Sequence, residues 1–436
     1  MLNFFIITYG CQMNKSDSER IAGFLCDLGW QEVTGAEMAD LIILNTCSVR
    51  QSAENRVYGE VNNLVELKKT NPRLIVAITG CMPGRDKNNK MRNKLPGADL
   101  FFPIIDIIHL PEMLKKLGVV LSQKDLPQDY LDFAPQYTNS FQAFIPIQTG
   151  CNNFCTYCVV PYSRGRERNR PVKSIVEEVQ KLADKGYLEI TLLGQTVNNY
   201  QAVDPENFSN LNPFKNHFAA LLWELNQIKG IKWIHYTAAD PQFMTEEVIA
   251  TLNLPKQVNY LHLPVQAGSD QVLAKMNRKY TRKNYLEIIA KIKKTRPGIA
   301  LGTDIIVGFP GETEEDFLQT VDLYKQADFD ISYNAKYSPR TGTPAFKMLD
   351  DVVLEEKERR WWALQKLMEE TVLRKNKIYA DQEIEVLIEK CNNGLCSGHN
   401  QEMKFVQVPS EKDLVGKIIK IKVEEAGMWV LRGKAL

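Results

Sequence analysis

The chain has no apolar run approaching the roughly 18 residues that a membrane-spanning helix needs, so nothing in it reads as a membrane span. It has almost no net charge either. Lys and Arg number 54 against 53 Asp and Glu, a formal +1, so bulk charge neither announces nor excludes a nucleic-acid partner, and any basic surface must be local. The start, Met1-Leu2-Asn3-Phe4-Phe5-Ile6-Ile7, lacks a basic leader and a cleavage-like end, which predicts a first strand rather than a signal peptide, and a cytoplasmic protein. The nine cysteines are odd in number and come with no export signal, an argument against a disulfide framework and for reduced thiols serving metals. Hydrophobic residues at 44% and charged residues at 25% exclude a disordered chain. A length of 436 residues implies two to four domains at roughly 100 to 200 residues each.

The most informative stretch is Thr149-Gly150-Cys151-Asn152-Asn153-Phe154-Cys155-Thr156-Tyr157-Cys158. Thiolates this close together predict one shared metal centre, and as soft ligands they favour iron–sulfur clusters or zinc. No fourth cysteine or histidine occurs between Ala143 and Leu193, so a four-iron cluster here would keep one iron without a protein ligand, open to substrate or cofactor. The competing readings are a loop of inert buried cysteines, or a zinc site with a distant fourth ligand.

Ahead of this stretch, strand-like runs at 3–9, 41–46 and 74–79 alternate with helical patterns at 16–28 and 52–69. Ser16 or Asp17 could cap the first helix. A cysteine follows each strand: Cys11, Cys47 and Cys81. In a parallel sheet with helical crossovers the carboxyl ends of the strands share one edge, where ligands bind, so these three should converge into a second three-thiolate site. Cys26, mid-helix beside Phe24, Leu25 and Leu28, is expected only to pack.

Positions 119–138 lose periodicity and read as a linker. Strand-like runs at 143–148, 189–193, 232–238, 260–265, 300–309 and 330–337, with helices between them, predict a parallel sheet curved into a partial (β/α)6 barrel, with the cysteine loop on its carboxyl-end rim. Gly194-Gln195, Gln266-Ala267-Gly268-Ser269 and Gly308-Phe309-Pro310-Gly311-Glu312 fall on the same rim. The four arginines Arg164, Arg166, Arg168 and Arg170, beside the reactive loop, are expected to contact RNA phosphates. Residues 354–377 form a long amphipathic helix without a sustained heptad. Beyond it, short strands at 383–391, 395–399, 405–408, 417–423 and 428–431 predict a small antiparallel β-barrel of the oligonucleotide-binding kind. Cys391 and Cys396 flank hairpin residues there and read as cross-strand neighbours, not cluster ligands.

Cys151-x3-Cys155-x2-Cys158 resembles the signature of radical S-adenosylmethionine (SAM) enzymes. The whole chain resembles their methylthiotransferase family. That likeness implies an α/β architecture divided as 1–118 (auxiliary-cluster domain), 119–138 (linker), 139–372 (radical SAM domain) and 373–436 (a TRAM RNA-binding barrel). It implies two [4Fe-4S] clusters, one on Cys11, Cys47 and Cys81 and one on Cys151, Cys155 and Cys158, together with SAM, near which Tyr157, Gly194 and Gln195 would lie. Tyr9-Gly10-Cys11-Gln12-Met13-Asn14 with Asp17-Ser18-Glu19, Asn45-Thr46-Cys47-Ser48-Val49-Arg50, and Leu192-Leu193-Gly194-Gln195 resemble the branch that places a methylthio group on C2 of N6-isopentenyladenosine 37 in the tRNA anticodon loop. Thr196, Ala267 and Asn169 depart from the pattern, standing where Asn, Ser and Ser are expected. The resemblance implies a tRNA partner, an electron donor and a sulfur source that the sequence does not identify, and a monomer. The alternatives are the same chemistry on a ribosomal-protein aspartate or on threonylcarbamoyl adenosine, and, from another class, a non-catalytic iron–sulfur RNA-binding protein.

Overall fold

The computed structural model describes residues 2–48, 51–120, 127 and 129–436. Val49 and Arg50 of the second cysteine motif, and positions 121–126 and 128 of the expected linker, lie outside the described residues. The first sheet is parallel throughout, in the order β2-β1-β3-β4-β5, with β1 Asn3–Tyr9, β2 Gln31–Glu32, β3 Leu41–Thr46, β4 Ile75–Gly80 and β5 Leu100–Phe101. Strand β3 is buried from end to end because helices cover both faces. Leu41 and Ile43 meet Phe24, Leu25 and Trp30 on one side, while Ile42 and Leu44 meet Val57, Val61 and Leu64 on the other. The register places Tyr9 opposite Thr46, and Thr46 opposite Gly80. Cys11, Cys47 and Cys81 therefore leave adjacent strands at one edge.

The first helix starts earlier than its periodicity implied, at Gln12, and runs to Asp27. Asn14 folds back so that its Oδ1 accepts from the Cys11 backbone N–H at 3.3 Å, which begins the helix at the cysteine rather than at Ser16 or Asp17. Cys26 does not pack in a core: it is exposed and donates its S–H to Gln136 Oε1 at 3.0 Å.

The partial barrel consists of β6 (Gln142–Pro146), β9 (Glu189–Leu193), β10 (Trp233–Tyr236), β11 (Tyr260–His262), β12 (Ala300–Val307) and β13 (Ile331–Lys336). A two-stranded ribbon, β7 (Gln148–Thr149) paired with β8 (Arg168–Asn169), pinches the base of the cysteine loop. The strands form two parallel arcs, β10-β9-β6 and β11-β12-β13, with an isolated bridge between Ile234 and Gln257 where the arcs meet. Alternate residues face outward into one large apolar core with the helices. The helix Leu354–Asn376 lies along β13, and Trp361 Nε1 donates to Asn334 O at 2.8 Å. No helix among the described residues is long and apolar enough to cross a membrane.

The C-terminal strands β14 (Glu383–Asn392), β15 (Leu395–Asn400), β16 (Phe405–Pro409), β17 (Ile418–Ala426) and β18 (Leu431–Ala435) close a barrel in the order β14-β15-β16-β18-β17. The last strand begins at Leu431, the final residue of the run 428–431 where it was expected, and extends to Ala435. Asn393 (φ 50°) and Gly394 (φ 76°) make the two-residue turn that a right-twisted hairpin requires. Cys391 and Cys396 sit directly opposite each other across that hairpin and are joined in a disulfide. The expectation of wholly reduced thiols therefore fails for this pair, because the register brings the two side chains into contact.

This small barrel plugs the floor of the large one, at the amino-terminal ends of its strands. Val386 and Ile388 point into the small barrel's own core. Leu387 between them points out, fully buried among Phe141, Trp233, Val258, Tyr260 and Ala300, a burial worth about 2 kcal/mol. His399 ion-pairs with the buried Glu189 at 3.0 Å, by distance rather than by hydrogen-bond angle, and its other ring nitrogen meets Glu389 at 3.0 Å. Burial by itself would lower the His399 pKa, but the two carboxylates prevail and hold it up at about 10. A raised histidine pKa adds stability that is complete below the unfolded value of about 6.5 and is lost as pH rises through about 10. His399→Gln should abolish that alkaline dependence, and by leaving Glu189 buried without its partner should cost about 3 kcal/mol near neutrality. Urea unfolding across pH 6 to 10 measures both, and an unchanged midpoint would refute the role of the pair.

Candidate functional site

Both cysteine triads follow strand ends, and two of their loops depend on glycine. Gly80 (φ +98°) precedes Cys81, and a Cβ there would fall 2.4 Å from Thr46 O; Gly150 (φ +77°) precedes Cys151, and a Cβ there would fall 2.1 Å from Arg166 O. Only glycine fits such a close approach at positive φ. Beneath the first triad the motif residues cross-link its strands: Asn14 Nδ2 donates to Asn45 Oδ1 at 3.1 Å, and Asn45 Nδ2 donates to Asn14 O at 2.8 Å and to Ser18 Oγ at 3.0 Å. These asparagines tie the loop of Cys11 to the strand that leads to Cys47. Cys47 and Cys81 are buried, whereas Cys11 is exposed. Crowding there raises the Cys11 thiol pKa, with Arg164 lowering it and Cys81 raising it further.

The second triad lies in the pinched loop above the barrel. Cys151 and Cys155 are buried and Cys158 is half-buried. Burial pushes the Cys158 thiol up to about 12 and raises Cys151 as well. Buried thiols of this kind are poor nucleophiles in the metal-free chain, and a bound cation reverses that by stabilising the thiolate. Polar donors already surround the sulfurs: Arg278 Nη1 reaches Cys155 Sγ at 3.2 Å, the Asn153 N–H reaches Cys151 Sγ at 3.4 Å, and Thr196 Oγ1 lies 3.4 Å from Cys151 Sγ. Asp240 orients the donors, pairing with Arg278 at 3.0 Å and accepting from Asn153 Nδ2 at 3.2 Å. Sequence reasoning missed Arg278 and Asp240, which lie far along the chain in unremarkable contexts. It noticed Thr196 only as a departure, although Thr196 stands against a thiol.

Among the described residues no three His, Cys, Asp or Glu side chains are grouped to hold a metal ion as they stand. Cys81 nonetheless lies near enough to act electrostatically on Cys11, Cys155 on Cys151, and both Cys151 and Cys155 on Cys158. Soft donors, three to a site with cationic and N–H groups aimed at the sulfurs, fit a cluster in which each thiolate takes a different iron, whereas a structural zinc would gather four ligands on one point. The same rim carries the other expected groups. Gly194 is pressed against Gln148, with a Cβ there 2.6 Å from Gln148 Cγ. Gln195 holds a buried side-chain oxygen with no partner among the described residues, an acceptor available to a ligand. Tyr157 lies half-buried, its ring edge-on to Phe309 at 6.4 Å. Inside the barrel, His262 Nε2 meets Asp304 at 2.9 Å beside the exposed ring of Tyr333, another pair the sequence did not single out.

The arginine run is largely not a phosphate surface. Arg164 is buried, paired with Asp17 at 2.5 Å, and its Nε donates to Cys81 Sγ at 3.3 Å. Arg170 is buried against Glu178 at 2.6 Å and Pro146 O at 2.9 Å. Arg168 pairs with Asp129 at 2.5 Å. Arg166 is exposed, its guanidinium 4.7 Å from the centre of the Phe154 ring. Carboxylates outside the run claim three of the four guanidiniums. These contacts weld the domains together: Glu178 also receives Arg20 at 3.0 Å and the Tyr137 hydroxyl at 2.5 Å. Burial opposes its ionisation, yet Arg170 and Arg20 hold its pKa down at about 2. The helix Cys81–Arg85 packs on the helix Val160–Ser163 so tightly that a Cβ on Gly84 would lie 2.0 Å from Ser163 O. The two cysteine sites are thereby neighbours across one seam.

Comparison with known proteins matches three family models along the chain. Residues 145–324 match the model of the radical SAM superfamily, residues 3–103 that of uncharacterized protein family UPF0004, and residues 378–436 that of the TRAM domain. The chain is 40% identical over 444 residues to the tRNA-2-methylthio-N(6)-dimethylallyladenosine synthase of Moorella thermoacetica, covering 99% of this chain and 98% of that protein. It is 41% identical to the synthase of the same name from Clostridium botulinum, with 99% and 97% covered. Among solved structures, the radical SAM methyltransferase TsrM from Kitasatospora setae superposes with a TM-score of 0.56 at 14% identity, covering 79% of this chain and 77% of that one, a likeness of fold. The buried pairs lead to a stability prediction: Arg164→Gln, which strands Asp17 in the interior, should lower the unfolding free energy by about 3 to 5 kcal/mol. Urea titration followed by circular dichroism measures it, and a loss below about 1 kcal/mol would mean that the pair does not hold the seam.

Proposed function

The chain belongs to the family of tRNA-2-methylthio-N(6)-dimethylallyladenosine synthases, and from that premise we propose that its two cysteine triads serve two [4Fe-4S] clusters and that it installs a methylthio group at C2 of N6-isopentenyladenosine 37 in the tRNA anticodon loop. The observation that carries the assignment of residues is the seam, where two soft three-thiolate sites, each without a fourth protein ligand nearby among the described residues, lie against each other on facing domain edges. Bound there with SAM, the clusters supply a carbon radical able to attack an unactivated C–H bond, and sulfur to replace the hydrogen.

The chain's own groups bind, orient and shield. Cys151, Cys155 and Cys158 hold the SAM-binding cluster, and Cys11, Cys47 and Cys81 the auxiliary one. Arg278 and the Asn153 N–H donate to the sulfurs of the first, Arg164 to a sulfur of the second. Donors to cluster sulfurs raise reduction potential, so these residues make reduction easier while Asp240 and Asp17 fix where the donors point. Gln195 offers its unpartnered oxygen, and Tyr157 a ring face, to SAM at the rim. The target adenosine comes from a single-stranded loop, where extruding a base into a recessed site is cheap. The C-terminal barrel is an RNA grip at the opposite face of the molecule. The identity and coverage of the relatives favour the isopentenyladenosine substrate over a ribosomal-protein aspartate or threonylcarbamoyl adenosine, and favour an enzyme over a non-catalytic iron–sulfur protein.

Anaerobic reconstitution with anticodon stem-loop RNA carrying isopentenyladenosine, followed by nucleoside mass spectrometry, tests the reaction: a mass gain of one methylthio group in place of hydrogen is expected, and its absence with fully loaded protein would overturn the reading. Two triple variants test the division of labour. With Cys151, Cys155 and Cys158 changed to alanine, iron and sulfide should fall by about half and SAM cleavage should cease. With Cys11, Cys47 and Cys81 changed instead, 5'-deoxyadenosine should still form on reduction while no methylthio nucleoside appears. Wild-type iron content in either variant, or normal product from the second, would sink the assignment.

A further inference from the structure

With Arg164 and Arg170 buried and Arg168 paired, the arginine run presents only Arg166 to solvent, and a short segment past Cys81 adds further positive charge. Arg85, Lys87, Lys90, Arg92 and Lys94 stand there against one carboxylate, Asp86, a concentration of charge in a chain whose formal total is +1. The structure sorts these groups. Arg85 is engaged with Glu54 at 2.6 Å and with Thr341 O at 3.3 Å. Arg92 donates to Leu95 O at 2.7 Å. Asp86 is turned back into its own loop, where its Oδ2 accepts from the N–H groups of Met91 at 2.9 Å and Arg92 at 2.8 Å. Lys87, Lys90 and Lys94 are exposed, and among the described residues no carboxylate lies within ion-pair distance of their ammonium groups. Asn88, Asn89 and Asn93, interspersed with them, are exposed as well.

We propose that the loop 86–94 is a docking surface for the RNA phosphate backbone, with Lys87, Lys90 and Lys94 as its charges; the proposal rests on the tRNA reading above and adds where the nucleic acid touches the catalytic half of the molecule. Three features favour RNA. First, the loop leaves the carboxyl edge of the first sheet through the helix Cys81–Arg85, so its charges follow within fourteen residues of a cysteine at the seam. Second, the Asp86 bonds hold the loop in shape before anything binds, which reduces the ordering cost of association. Third, lysine alternates with asparagine and no large apolar side chain is exposed, a composition suited to phosphate and sugar contacts; a protein partner would look for an apolar core with a polar rim.

The test uses the reconstituted full-length enzyme and a fluorescently labelled anticodon stem-loop containing isopentenyladenosine. Binding is followed by anisotropy between about 50 and 200 mM salt. Lys87→Ala/Lys90→Ala/Lys94→Ala should bind several-fold more weakly at the low end, with a logarithmic salt slope shallower by about 2 to 3, since each neutralised phosphate contributes about 0.7 to 0.9. Lys-to-Arg replacements at the same positions should restore the slope, and iron content and circular dichroism should match wild type in both variants. Unchanged affinity and slope in the alanine variant would overturn the proposal while leaving the methylthiolation reading intact. Normal RNA binding combined with slower cluster reduction by an acidic flavoprotein would also overturn it, and would reassign the loop to a protein partner. Failure of the wild-type enzyme to bind the stem-loop at all would overturn both.

Discussion

The constraint on which the rest of this molecule depends is the set of buried ion pairs that lock the first helix against the barrel. Arg164 with Asp17 and Arg20 with Glu178 join residues 147 and 158 positions apart, and Arg170 adds to Glu178 from 8 positions away. Ion pairs removed from water are costly to form and add little net stability compared with well-packed apolar groups, but breaking one strands a charge and costs several kcal/mol. Their effect here is geometric. Sheet edge and barrel rim cannot slide past each other without exposing a buried charge to an apolar environment, so the two cysteine sites stay in one relation across the seam. The division of labour proposed for the two sites requires that fixity, because a misplacement of about 1 Å can cost a hundredfold in rate.

The same pairs explain what could and could not be read from the sequence. The strand periodicity, the parallel sheet and the cysteines at strand ends were legible, since each follows from local alternation and from the rule that carboxyl ends share an edge. The arginine run was misread for a physical reason. A charge run shows nothing of the carboxylates that meet it from remote elements, and Asp17 and Glu178 are visible as partners only once the chain is folded. Arg278 was invisible on the same ground: it approaches Cys155 from beyond β11, and nothing in its neighbourhood marks it. The disulfide between Cys391 and Cys396 was half legible, because the Asn-Gly turn fixes the register that sets the two side by side, while oxidation state is not written in spacing.

The departures from family pattern acquire meaning in the same way. Asn169 bonds with Gln148 across the ribbon at the base of the cysteine loop, and Gln148 in turn accepts from the Thr196 N–H at 2.9 Å. Thr196 then faces Cys151. Two of the three unusual residues therefore belong to one chain of contacts that ends on a thiol, and a change at one is felt by the other. Ala267, fully buried on the opposite arc, lies outside that chain, and nothing in the structure explains it.

The placement of the C-terminal barrel sets the last condition. Leu387 in the barrel floor, the His399 contacts, and Lys404 on Asp330 at 3.1 Å make the small domain a fixed extension of the large one instead of a tethered module. An RNA held there is held by a body whose other end carries the chemistry, so its grip and the reactive base must be separated by a set distance along the stem-loop. A flexible linker would raise the local concentration of RNA but leave its register free. A rigid mount gives up that freedom and in return selects substrates by shape. A near-neutral surface on the small barrel is enough for that purpose, provided the charge that draws in phosphates is concentrated in the catalytic half, where the loop after Cys81 presents it.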